Sequence, residues 1–236
     1  MQKTIIAIIP ARGGSKRLPR KNLRMLNGIS LVALAIMQVL GSQLIQRVFV
    51  STEDDEIERV AREYGAEIIK RPMVLAQGES GSVLRVIQHA LAYLEKYEAF
   101  KPLIVALIQP TSPLRTAEDI DNTIQLMLDT GCDSVVSKCG DRENGAVYVS
   151  RRYVFIEQNR ILGSSCGVYQ MPEERSVDID TEEDLARAEV ILKGGQDDRS
   201  RVLSELQGPD GGEGDDKGGK RGRGRPRKVP AFRRRG

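Results

Sequence analysis

Thr4-Ile5-Ile6-Ala7-Ile8-Ile9-Pro10-Ala11-Arg12-Gly13-Gly14-Ser15-Lys16-Arg17-Leu18-Pro19-Arg20-Lys21-Asn22 is the stretch on which the fold turns. Its first half is a short, unbroken apolar run, the pattern of a strand buried on both faces, stopped by Pro10 and two glycines. Its second half places five cations (Arg12, Lys16, Arg17, Arg20, Lys21) within ten positions. Gly13 and Gly14 permit positive-φ backbone in which successive N–H groups point into one concavity, and such a nest with converging cations suits a polyphosphate. The spacing does not fit G-x-x-x-x-G-K-[ST] or G-x-G-x-x-G, so the loop is neither a P-loop nor a dinucleotide fingerprint.

The same alternation continues outward. Leu31 to Leu40 reads as a helix closed by Gly41, Arg47 to Val50 as a strand, Glu53 to Tyr64 as a helix stopped by Gly65, and Ala66 to Ile69 as a strand. A long helix over Ser82 to Tyr97, a strand over Leu103 to Ile108 and a helix over Thr116 to Thr130 follow, then short strands at Ser134 to Val136 and Ala146 to Val149. The last globular helix spans about Thr181 to Leu192. Strands alternating with helices over short connections imply an α/β, mostly parallel sheet with helices on both faces. Ligands of such sheets bind beyond the strands' carboxyl ends, which directs attention to the loops after Ile9, Val50 and Ile108.

The 236 residues, 40% apolar and 29% charged, suffice for one well-buried domain. The net charge of +3 conceals a split. Lys193 to Gly236 carries 13 basic against 7 acidic residues, a tail of +6, whereas the body holds 23 basic against 26 acidic and stands at −3. The segment 194–236 contains 11 of the 23 glycines and few apolar residues, and is expected to be a disordered tail. The single histidine, His89, lies on an amphipathic helix and reads as a packing or surface residue, which leaves little room for His-based triads or a multi-His metal site. Cys132, Cys139 and Cys166 are odd in number and lack C-x-x-C spacing, as expected of a reducing compartment. No apolar run approaches the roughly 20 residues of a membrane span, so the protein is expected to be soluble and cytoplasmic, without membrane partners.

Period-two alternation in Ser176-Val177-Asp178-Ile179-Asp180-Thr181 places both aspartates on one face of an extended strand, with Val177 and Ile179 toward the core. Two carboxylates so placed suit one Mg²⁺ that keeps several waters and bridges to phosphate oxygens. Asp180 or Thr181 with Glu183 and Asp184 also forms an N-terminal capping pattern, which competes for Asp180 but not for Asp178.

Ile9-Pro10-Ala11-Arg12-Gly13-Gly14-Ser15-Lys16 with Lys21-Asn22 resembles the signature of the acylneuraminate cytidylyltransferases, the CMP-sialic acid synthetases. Val50-Ser51-Thr52-Glu53-Asp54, Arg71-Pro72 with Leu75-Ala76, Gln109-Pro110-Thr111-Ser112-Pro113-Leu114-Arg115, Asn144-Gly145-Ala146 and Asp178-Ile179-Asp180-Thr181 follow in the family's order, covering residues 4 to 192. The resemblance implies a Rossmann-like nucleotidyltransferase over residues 1–193 that transfers CMP from CTP to the anomeric hydroxyl of a nonulosonic acid and releases pyrophosphate. It implies phosphate contacts from Arg12, Gly13, Ser15 and Lys21, with Asn22 also on the nucleotide, and assigns Arg12 and Lys21 to the leaving pyrophosphate. Arg71 and Ser82 would lie by the cytosine, and Gln109, Ser112, Asn144, Gly145 and Ala146 would form the sugar pocket. Asp178 and Asp180 would bind Mg²⁺ and act in catalysis. Octulosonate, pseudaminic and legionaminic acid cytidylyltransferases resemble the early loop too, and Asn22 with Asn144-Gly145-Ala146 tilts the choice toward the sialic or legionaminic type.

Two departures stand out. Gly78 replaces a common Asp. The few dozen residues that usually precede Asn-Gly-Ala are reduced to Ser137-Lys138-Cys139-Gly140-Asp141-Arg142-Glu143. That loss shortens the family's dimer arm, although a homodimer is still expected, and removes a basic residue that meets the substrate carboxylate, for which Lys138 or Arg142 are substitutes. In the tail, Arg221-Gly222-Arg223-Gly224-Arg225-Pro226-Arg227-Lys228 resembles an AT-hook. It allows a weak polyanion- or DNA-binding role, and a different reading in which a degraded catalytic body accompanies a DNA-binding tail.

Overall fold

The computed structural model describes residues 4–15, 17–77 and 82–206, with side chains as far as residue 194. The described residues as far as 197 form one compact unit. In chain order this unit contains β1 (Ile5–Pro10), the small hairpin β2 (Met25–Leu26) and β3 (Ile29–Ser30), α1 (Leu31–Leu40), β4 (Arg47–Thr52), α2 (Asp55–Glu63), β5 (Glu67–Lys70) and α3 (Val83–Glu98). There follow β6 (Ile104–Ile108), α4 (Ala117–Thr130), β7 (Ser134–Cys139), β8 (Arg142–Arg151), α5 (Arg152–Ile156) and β9 (Cys166–Gln170). Helix α6 (Glu182–Leu206) continues beyond Leu192, where the sequence pattern ends it, and so takes in residues 194–206 of the segment 194–236 expected to be a disordered tail; the rest of that segment, 207–236, lies outside the described residues.

Among the described residues the main sheet has seven strands in the order β5-β4-β1-β6-β8-β7-β9. β4, β5 and β6 run parallel to their neighbours around β1, and β8 is the antiparallel insertion between β6 and β7. Period two explains the apolar runs. Ile5, Ala7 and Ile9 pack with Val32, Ile36, Ile57, Ile120 and Ile124 of α1, α2 and α4. Ile6 and Ile8 face the other way, onto Ile87, Ala90, Leu91 and Leu94 of α3 and Phe155 of α5. Helices thus cover both faces, and the chain leaves β1 first for one side and later returns for the other, opening a crevice at the carboxyl ends.

The shortened segment before Asn144 is a tight hairpin. Cys139 pairs with Arg142, and Gly140 at φ 60° makes the turn with Asp141. β7 and β8 therefore extend beyond the short strands expected from their apolar residues, because 137–143 itself supplies ladder partners. By contrast, the strand expected at Ser176–Thr181 is not formed. Its alternation survives, with Val177 and Ile179 buried, but its backbone lacks a ladder, and Ile179 N–H donates instead to the Thr111 carbonyl at 2.7 Å. A separate apolar cluster of Leu18, Leu26, Leu31, Leu114, Val177, Ile179, Leu185 and Ala188 docks this segment and the start of α6 against the loop after β1.

Two ion pairs with buried carboxylates position the loops. Glu53, just past β4, meets Arg71, just past β5, at 2.8 Å, with side-chain exposures of 6% and 3%. Asp119 in α4, with a fully buried side chain, accepts from Arg175 at 2.9 Å and from the Thr116 backbone N–H at 2.8 Å, closing a capping box. Burial alone would raise the Asp119 pKa, but Arg175 and Thr116 outweigh it and leave the group below its usual value.

Removing one partner of a buried pair strands the other charge. Glu53→Leu should therefore cost about 3–5 kcal/mol in urea unfolding, and Glu53→Leu/Arg71→Leu should recover much of it; a single-variant loss below about 1 kcal/mol would contradict this. A depressed folded-state pKa contributes stability above the unfolded value of about 3.9 that disappears as pH falls through the folded value. The stability gap between wild type and Asp119→Asn should stay constant from about pH 7 to 5 and close below about pH 4. A gap that widens on acidification would refute the assignment.

Candidate functional site

The loop after β1 is fixed from beneath. Ala11 N–H donates to the Ser51 carbonyl at 3.0 Å, and the buried Asn22 side chain donates to the Arg12 carbonyl at 2.9 Å. Asn22 thus pins the loop, a role the sequence did not indicate. Neither Gly13 nor Gly14 adopts positive φ, so the nest geometry expected of them is not formed. Gly13 is required for a different reason: a Cβ there would fall inside the Asp54 carboxylate. Asp54 is itself fixed, because it caps α2 by accepting from Glu56 N–H at 2.9 Å and Ile57 N–H at 3.0 Å. The Gly13 N–H donates to Glu53 Oε1 at 2.7 Å, while Glu53 Oε2 accepts from Arg71 Nε at 2.8 Å. One carboxylate therefore joins the phosphate-loop candidate to Arg71. Its position after β4 hinted at the site, but its two partners are visible only in three dimensions.

The loop's cations differ in their commitments. Lys21 Nζ donates to Asp180 Oδ1 at 2.8 Å and to the Ile179 carbonyl at 2.9 Å, and Arg17 reaches Asp180 Oδ2 at 2.8 Å. Arg20, at φ 54°, pairs with Glu56 at 2.7 Å. Arg12 is exposed and forms no ion pair among the described residues, Ser15 is half-buried, and Lys16 lies outside the described residues. The Lys21 hydrogen bond, then the charges of Lys21 and Arg17, keep Asp180 below the usual carboxylate range. Asp178 moves the opposite way. It opens into a concave part of the surface where surrounding protein displaces water, and the neighbouring Asp180 charge adds to the rise. The α6 cap is formed by Thr181 and Asp184, with Asp184 Oδ2 accepting from Thr181 N–H at 2.8 Å and from Asp180 N–H at 2.9 Å. Capping thus leaves the side chains of Asp178 and Asp180 for other work.

The remaining candidates divide between surface and scaffold. Gln109 is half-buried at the end of β6, and its carbonyl accepts from the Arg115 guanidinium at 2.7 Å. Arg115 is buried, also donates to the Ser112 carbonyl at 2.6 Å, and has its pKa pushed down to about 9 by burial. Ser112 is fully buried and donates to the Asn144 carbonyl at 3.2 Å. Asn144, 3% exposed, accepts from Ser137 at 2.6 Å and donates to Ser176 at 2.9 Å, and its Oδ1 accepts from the buried Ala146 N–H at 3.2 Å. Ser112, Asn144 and Ala146 therefore join the loop after β6, the β7–β8 hairpin and the Asp178 segment. Gly145, at φ 71°, brings the backbone beside Ser112 and Asp178. Ser82 is exposed and caps α3 through Arg85 N–H at 3.4 Å, and Gly78 lies outside the described residues. His89 lies near Arg71; burial and then that positive charge lower its pKa.

A cleft of about 220 Å³ adjoins these loops, lined by Arg142, Glu143, Ser176, Asp178, Asp184 and Arg187 among others. Asp178 lines the cleft and feels the positive charge of Lys21 from the loop. Among the described residues no group of three or more His, Cys, Asp or Glu side chains is arranged to hold a metal. The donor set fits the alternative that Mg²⁺ favours, one or two carboxylates completed by substrate phosphates and water. Also among the described residues, no helix is long and apolar enough to cross a membrane.

The chain is 30% identical to N-acylneuraminate cytidylyltransferase of Escherichia coli O18:K1:H7 over 81% of its own length and 52% of that protein, so it spans about half of that relative. It is 28% identical to CMP-N,N'-diacetyllegionaminic acid synthase of Campylobacter jejuni over 80% of its length and 94% of the relative. Its fold is similar to that of CMP:2-keto-3-deoxy-manno-octonic acid synthetase, solved with CTP, with a TM-score of 0.62 at 16% identity, covering 81% of this chain and 99% of the other. Residues 6–160 match the family model described as Cytidylyltransferase, and the chain belongs to that family.

Proposed function

We propose that the protein transfers CMP from CTP to the anomeric hydroxyl of a sialic-acid-like nonulosonic acid and releases pyrophosphate. The observation that carries this reading is the contact between Lys21 and Asp180, which brings the cationic loop to the carboxylate segment beside an open cleft. The geometry suits a triphosphate on the loop and an acceptor in the cleft, with Asp178 between them. The legionaminic and octulosonic acid proteins among the similar chains keep other nonulosonates within the same reading.

In this mechanism Arg12, Ser15 and Lys21 hold the phosphates. Lys21 exchanges Asp180 for phosphate oxygens, a step eased by water at the 45% exposed Asp180 side chain, while the 16% exposed Lys21 keeps its charge directed into the site. Glu53 keeps Arg71 and the Gly13 backbone in place while this occurs. Asp178 and the released Asp180 would hold Mg²⁺, which supplies charge neutralisation to the phosphates and a lowered pKa to the attacking hydroxyl. Arg12 and Lys21 stabilise the charge that accumulates on the leaving pyrophosphate. The reading includes a cytoplasmic enzyme and a homodimer whose interface does without the usual arm, because Gly140 and Asp141 close the hairpin. The intact pairing of loop and carboxylates argues against a degraded body; the AT-hook-like segment lies outside the described residues.

Pyrophosphate release from CTP should be seen with at least one of a panel of sialic, legionaminic, pseudaminic and octulosonic acids. Silence across the panel would refute the proposal. Asp178→Asn, by weakening the hold on the Mg²⁺ that would neutralise the phosphates, should reduce kcat by roughly 10²–10³ in that assay. Full Mg²⁺-dependent turnover by this variant would remove Asp178 from the site.

A further inference from the structure

Resting on the reading above, we infer that Arg115 is a positioning residue for the reaction: it touches no ligand, and it sets the loop after β6 so that the segment of Asp178 and Asp180 is held in register with the phosphate loop. Arg115 is 1% exposed, and no step of the transfer uses it. Its Nη1 donates to the Gln109 carbonyl at 2.7 Å and to the Ser112 carbonyl at 2.6 Å, the two ends of a turn over Pro110 and Thr111. The turn's own closing bond, from the Ser112 N–H to the Gln109 carbonyl, is long at 3.4 Å, so the guanidinium supplies most of the grip. Between those ends the Thr111 carbonyl accepts from the Ile179 N–H at 2.7 Å, and Ile179 stands between the two aspartates. One buried nitrogen thus fixes the turn to which the carboxylate segment is fastened.

An ordinary ion pair that merely stabilises α4 does not account for this side chain. The acid whose charge acts on Arg115 is Asp119, but both Asp119 oxygens are taken, by Arg175, by Thr116 and by the Tyr169 hydroxyl at 3.2 Å. Arg115 Nε and Nη2 are buried and donate to no protein group among the described residues. Taking a guanidinium out of water with carbonyls as its direct partners is unfavourable, and the geometry it secures is the held turn. Asp119 meanwhile holds Arg175, three residues before Asp178, so the carboxylate segment is fixed at a second point. Such fixing matters because a displacement of about 1 Å at a reacting centre costs about 10²-fold in rate.

The test combines hydrogen exchange at the Ile179 amide, read by NMR on the full chain, with kinetics on CTP and a nonulosonic acid that the wild type converts. Arg115→Met should speed Ile179 exchange at least about tenfold by freeing the turn. It should lower kcat by about 10- to 10²-fold while KM for CTP stays within about twofold, because the phosphate loop keeps its own frame. Arg115→Lys should restore Ile179 protection and bring kcat within about threefold of wild type, since one nitrogen makes both carbonyl contacts and a lysine Nζ can take its place. Urea unfolding shows whether Arg115→Met is folded; where it is not, Arg115→Lys decides alone, on those same two readings. Unchanged Ile179 exchange or unchanged kcat in a folded Arg115→Met, or an Arg115→Lys as impaired as Arg115→Met, would overturn the inference and leave the cytidylyltransferase reading standing. Wild-type inactivity with every acid would overturn that reading and the reaction role of Arg115 with it.

Discussion

The contact between Glu53 and Arg71, 2.8 Å apart with almost no solvent around either side chain, sets the geometry on which the site depends. Two charges placed so deeply cannot part cheaply, because each would be left desolvated and unpaired, at about 3–5 kcal/mol. Glu53 uses its second oxygen for the Gly13 N–H, so that stiffness passes from the ends of β4 and β5 into the loop after β1. The pair between Lys21 and Asp180 is of the opposite kind. Its side chains are 16% and 45% exposed, so water reaches it and it parts more easily than the buried pair, as the proposed phosphate binding requires. The site therefore combines a fixed frame with a labile set of cations, a division set by burial rather than by residue type.

A second constraint brings distant sequence together. Asp178 and Asp180 reach the loop because Val177 and Ile179 bury themselves beside Leu18, Leu26 and Leu114, and because Asn144 holds Ser176. Apolar burial provides most of the docking energy, and the buried hydrogen bonds fix its register. The polar scaffold of Ser112, Ser137, Asn144 and Ser176 thus holds the carboxylate segment in place, and Asn144 and Ser176 line the adjoining cleft.

Much of this was legible in the sequence where a local pattern decides the outcome. The apolar runs of β1, β4 and β6 and the helix stops at Gly41 and Gly65 follow from side-chain periodicity and backbone chemistry alone. The resemblance named loops that the fold brings together and assigned Asn22 and Asn144 to the ligands; the hydrogen bonds of Asn22 to the Arg12 carbonyl and of Asn144 to Ser176 add a scaffold role to each. Their partners lie in other segments, so no local pattern reveals them. β9 escaped because Cys166 to Gln170 alternates weakly at an edge, α5 because it is barely more than a turn, and the length of β8 because its first rungs are Arg142 and Glu143. Gly13 was correctly singled out as special, but close packing against Asp54, and not positive φ, is what demands it.

The central claim is that a rigid Glu53–Arg71 frame presents a labile Lys21 to a triphosphate, and a crystal structure with CTP tests it most directly. The account predicts phosphates against Arg12, Ser15 and Lys21, with Lys21 Nζ transferred from Asp180 to phosphate oxygens and the Glu53–Arg71 contact unchanged. Phosphates bound away from the loop, or a bound nucleotide with Lys21 still on Asp180 and Glu53 parted from Arg71, would contradict it.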